Sequence, residues 1–108
     1  RESAAELDRE LVEYPESVRG LKLKARLLTS QKDDSAALAA WDHVLEVAPR
    51  DGDAYLERGR IRYARQDWAG ALSDLRRATE ISPESDLANY NFAIALLRSA
   101  QDDRARSQ

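Results

Sequence analysis

The sequence predicts an all-α fold, a short stack of antiparallel helix hairpins. Three observations carry that expectation. The three prolines stand at Pro15, Pro49 and Pro83, at equal intervals of 34 residues. Between them apolar and small residues recur at helical spacing, and no alternating run marks a strand. Each proline is followed two residues later by a side chain suited to a helix start: Ser17, Asp51 and Ser85. The surroundings repeat as well. Ala37 and Ala71, Leu38 and Leu72, and Trp41 and Leu75 are again one interval apart, and a common unit accounts for them all.

In chain order, residues 3–14 read as the second helix of a preceding unit. Residues 18–31 form a first helix on the spacing of Leu21, Ala25 and Leu28, and Lys32-Asp33-Asp34 is the polar break after it. A second helix runs over 35–47 on Leu38, Trp41 and Leu45, and Pro49 ends it because its ring cannot continue the hydrogen-bond ladder. The next unit repeats the arrangement: 52–66 on Tyr55, Gly59 and Tyr63, a break at Asp67, then 69–81 on Leu72, Leu75 and Ala78. Residues 86–100 read as the first helix of a following unit, ahead of a polar tail. The expected count is six helices in one domain, divided as 1–17, 18–51, 52–85 and 86–108. Ala25, Gly59 and Ala93 recur inside the first helices, where small side chains let paired helices approach closely. Gly in a helix interior costs about 1 kcal/mol relative to Ala, so Gly59 requires such a packing reason.

Composition narrows the function classes. The chain has 108 residues, 17 Lys and Arg against 20 Asp and Glu, a net charge of −3 and no cysteine. The absence of cysteine excludes a disulfide scaffold, a thiolate zinc site and a cysteine nucleophile. The acidic balance argues against nucleic acid as a partner, and no apolar run is long enough to insert in a membrane. The compartment is left open, with the cytoplasm slightly favoured. The absence of methionine, even at position 1, suggests a piece of a longer protein.

Residue by residue, the unit resembles the tetratricopeptide repeat, whose pattern is W-x2-L-G-x2-Y, then A-x3-F, then P. The second unit reads Tyr55-x2-Arg58-Gly59-x2-Arg62, Ala71-x3-Leu75, Pro83. The first reads Leu21-x2-Lys24-Ala25-x2-Leu28, Ala37-x3-Trp41, Pro49, and the partial third Asn89-x2-Phe92-Ala93-x2-Leu96. Lys24, Arg58, Arg62 and Asn89 depart from the pattern, which bears on local packing rather than topology. Pentatricopeptide repeats, which bind RNA and have a period one residue longer, fit less well. The resemblance implies a right-handed α-solenoid whose concave groove binds other proteins.

The resemblance also implies that the exposed side of each first helix lines the groove. That selects Arg19, Lys22, Leu23, Arg26 and Ser30 in the first unit, and Asp53, Leu56, Glu57, Arg60 and Tyr63 in the second. The third supplies Tyr90, Asn91, Ile94, Leu97 and Arg98. Arg19, Lys22 and Arg26 share one helix face as a basic strip that Arg60 would extend. An acidic, partly apolar segment of another protein is the matching ligand. The same cations read equally as a solvated face paired with nearby acids. Some members of the family grip a peptide's C-terminal carboxylate with Lys and Asn. Glu57 would repel that group here.

No catalytic, cofactor-binding or metal-binding constellation emerges, and no cofactor is expected. His43 is a lone histidine, Asp51-Gly52-Asp53 lacks the other ligands of a calcium loop, and Trp41 and Trp68 read as core. The last helix is apolar around most of its circumference, so its far side should be covered, either by a further helix or by a second copy through Phe92 and Leu96. The leading expectation is a non-catalytic protein-interaction module or scaffold. A structural spacer or self-association segment, and a regulatory appendage of a larger enzyme, are the alternatives.

Overall fold

A computed structural model describes residues 17–107, with side chains through Arg104. Among these residues all regular structure is helical, in five elements: α1 (Val18–Ser30), α2 (Asp34–Val47), α3 (Gly52–Ala64), α4 (Trp68–Ile81) and α5 (Asp86–Ser107). The helix expected over 3–14 lies outside the described residues. Two compact units divide the chain, residues 1–54 and 55–108.

The helix starts follow the sequence closely. Ser17 Oγ accepts from the Gly20 N–H, Asp51 Oδ1 from Ala54 and Ser85 Oγ from Ala88, at 3.0–3.3 Å. Asp33 and Asp67 do the same for α2 and α4 through Ala36 and Gly70. Each cap satisfies one of the backbone donors that a helix start leaves free. Ahead of those two aspartates sit Lys32 and Gln66, both left-handed, with φ of 62° and 64°. The αL residue reverses the chain and the aspartate restarts it, so each pair forms one hairpin turn.

In the first unit α1 packs on α2 around Leu21, Ala25, Ala37, Trp41 and Val44. Trp41 is fully buried, and its indole N–H donates to Thr29 Oγ1 at 3.1 Å, whose hydroxyl donates to the Ala25 carbonyl at 2.8 Å. That relay satisfies the one polar atom the large ring carries inward.

In the second unit Leu56, Ala71, Leu75, Ala78, Ala88 and Ala95 form the core, with Tyr55, Tyr63, Leu72 and Phe92 packed against it. Gly59 is a close-approach point: a Cβ there would lie 2.8 Å from Leu75 Cγ. Its counterpart Ala25 has room for a methyl group and is likewise buried.

Three expectations need correction. Leu56 was placed on an exposed helix side, yet it is only 7% exposed, because it shares a core cluster with Ala88 and Ala95 of α5. Trp68 is half-buried rather than core, set edge-on against Tyr63 at 5.5 Å between ring centroids. The polar tail after residue 100 is helical through Ser107. One interval beyond Gln66-Asp67 stand Ala100 and Gln101. Alanine is the best helix former and glutamine is a poor N-cap, so nothing breaks the helix where the first two units turn.

Candidate functional site

On α1, Val18, Arg19, Lys22, Leu23 and Arg26 line a notch of about 380 Å³. The structure therefore brings together the basic residues chosen from the first unit. It also supplies counter-charges. Lys22 Nζ lies 3.1 Å from both Asp51 and Asp53, and Arg26 lies 3.6 Å from Asp53. Lys22 is half-buried in this cluster, whereas Arg19, Leu23 and Arg26 are exposed. Arg60, on α3, is 3.7 Å from Glu57.

A second feature repeats between the units. In the first, a notch of about 420 Å³ between α1 and α2 is lined by Leu21, Lys24, Leu28, Ala36, Ala39, Ala40 and His43. In the second, Tyr55, Arg58, Ser73, Asp74, Arg76, Arg77 and Glu80 line a notch of about 410 Å³ between α3 and α4. Shifted by one interval, Leu21 becomes Tyr55, Lys24 becomes Arg58, Ala39 becomes Ser73, Ala40 becomes Asp74 and His43 becomes Arg77. The same place in the hairpin is thus mainly apolar, with Lys24 and His43 beside it, in one unit and mostly charged in the other.

The charged version is organised around Asp74, which is 2% exposed. Arg58 donates to it through Nε at 2.9 Å and Nη2 at 2.7 Å, and Arg62 through Nη1 at 3.0 Å. The Arg58 and Arg77 guanidinium carbons lie 5.7 and 5.8 Å from the Tyr55 ring centroid, in cation–π range. Sequence reasoning marked Arg58 and Arg62 only as departures from an apolar pattern and passed over Asp74. The available signal was two arginines four residues apart on a buried face, which require a carboxylate on the facing helix.

On α5, Tyr90, Leu97 and Arg98 are exposed, while Ile94 and Asn91 are half-buried. Leu96 is exposed, whereas Phe92 packs into the core cluster and is not a free surface residue. Tyr63 is half-buried against Trp68. His43 is exposed on α2. Among the described residues no group of three His, Asp or Glu side chains is placed to hold a metal ion, and no helix is long and apolar enough to cross a membrane.

Paired helices capped at a fixed interval, with small residues where they touch, define a helical-hairpin repeat protein. The chain belongs to the tetratricopeptide repeat family, whose model matches residues 23–106. It is also similar to tetratricopeptide repeat protein 36 of Bos taurus and of Homo sapiens, each 31% identical over 96 residues, or 84% of this chain. The chain spans about half the length of these relatives, 51% in each case.

Proposed function

We propose that this chain is a non-catalytic protein-interaction module that holds a segment of another protein along the exposed side of α1. Family membership supports the class of function. The observation that carries the choice of surface is the α1 notch, where Arg19 and Arg26 flank the exposed Leu23. Two cations around an apolar side chain match a ligand that alternates acidic and apolar groups. Asp53 already neutralises part of this charge, so an incoming carboxylate exchanges with it at Arg26. Both partners of that pair are solvent-exposed, and such pairs contribute about 1 kcal/mol or less, so the exchange costs little.

Fluorescence anisotropy with a labelled peptide of alternating glutamate and leucine tests the reading. Saturable binding is expected, weakened about tenfold by Arg26→Glu together with Arg19→Glu, and weakened by added salt. Absence of binding, or an affinity indifferent to both charge reversals, contradicts it.

A further inference from the structure

One face of α5 carries a heptad pattern, and it includes Tyr90 and Leu97, which the family resemblance places in the groove. Asp86, Tyr90, Ala93, Leu97, Ala100 and Arg104 are spaced by alternating steps of four and three residues, the heptad spacing of a coiled-coil seam. At 3.6 residues per turn they occupy a stripe roughly 80° wide along the helix. All six are exposed, Tyr90 to 65% and Leu97 to 55%. Ala93 stands one interval beyond Gly59, and two beyond Ala25, both of which are buried beneath a second helix. Because α5 runs straight through the position where the other hairpins turn, no helix of the described chain returns to cover Ala93.

The distribution of charge and volume along the stripe identifies what does. We propose that α5 pairs with α5 of a second copy of this chain as an antiparallel two-helix coiled coil. A two-fold axis at the level of residue 95 sets Asp86 against Arg104 of the second copy, Tyr90 against its Ala100, and Ala93 against its Leu97. Symmetry then repeats all three layers. Every large side chain meets a small one, and each acid meets a base at the ends of the seam. Parallel pairing in register would set Asp86 on Asp86, Arg104 on Arg104 and the two Tyr90 rings on each other, leaving gaps at the alanines. The terminal Asp86–Arg104 layers are open to solvent, so they fix direction more than affinity. Tyr90 and Leu97 supply the apolar contact. Phe92 faces the chain's own core and takes no part, and Leu96 flanks the seam.

Sedimentation equilibrium of the full chain across a concentration series tests the pairing. The expected mass rises with concentration from 12.2 kDa to twice that value. Leu97→Glu weakens association by at least about tenfold, Arg76→Glu on α4 leaves it unchanged, and circular dichroism shows both variants folded. Asp86→Arg and Arg104→Asp each weaken association by about threefold, and the double variant recovers it. Any cost of Asp86→Arg to the start of α5 is shared by the double variant, so only the pairing itself can produce recovery. A monomer at every concentration overturns the proposal and leaves the seam to a helix of another protein or to further chain. A dimer insensitive to Leu97→Glu, or a double variant no better than the single ones, also overturns it.

Discussion

Arg58 and Arg62 stand where the repeat pattern calls for apolar side chains, and Asp74 accepts charge-assisted bonds from both. The carboxylate has left water almost entirely, so its three bonds offset a desolvation cost rather than add a surplus. Asp74→Ala leaves two partly buried guanidinium groups without their shared partner and should lower unfolding free energy by about 3 kcal/mol, read from urea denaturation. The same substitution combined with Arg58→Leu and Arg62→Tyr restores the apolar pattern and should recover most of that loss. If the triple variant is as unstable as the single one, the triad does more than fasten α3 to α4. The spacing of Arg58 and Arg62 signals that a facing carboxylate is needed, but which acid supplies it was not legible in the sequence, because only the packed hairpin sets Asp74 against them. Leu56 shows the opposite limit. The family resemblance assigned it to an exposed groove side, whereas it is buried in one core cluster with Ala71, Leu75, Ala78, Ala88 and Ala95.

The helices themselves were legible because their signals are local. Five side-chain caps and two αL turns lie close to where prolines, aspartates and serines mark them, since a helix start needs an acceptor within three residues. What the sequence misjudged was the end of the last helix, expected near residue 100 and found at Ser107. Lys32 and Gln66 adopt a conformation that glycine tolerates without steric cost. Gln66→Gly should therefore stabilise the second hairpin by about 0.5–1 kcal/mol, measured as a higher urea midpoint with an unchanged slope. A destabilised Gln66→Gly variant would show that the side chain contributes contacts outweighing the strain at that turn. Ala100 follows the opposite logic. Its strong helix propensity carries α5 past the point of reversal, so the helix presents a long uninterrupted seam instead of a hairpin.

For the whole molecule, the repeat interval and its flanking residues pointed to the family that the family model shows, whereas the electrostatics of the α1 face depended on tertiary pairing. The basic strip of α1 was visible in the spacing of Arg19, Lys22 and Arg26. Its neutralisation by Asp51 and Asp53 was not, because those acids sit about thirty residues further along the chain and only folding brings them to Lys22. The two hairpin notches make the same point, since identical positions carry Ala40 in one unit and Asp74 in the other. A repeat scaffold fixes where side chains stand, and the individual residues decide what each place can hold.

The claim that α1 carries the binding surface is tested most directly by amide chemical-shift mapping of the full chain during titration with the acidic, leucine-containing peptide. Shifts concentrated at Arg19, Lys22, Leu23 and Arg26 of α1 are the expected result. Shifts confined to α2 and α4, or none at saturating peptide, would contradict the account.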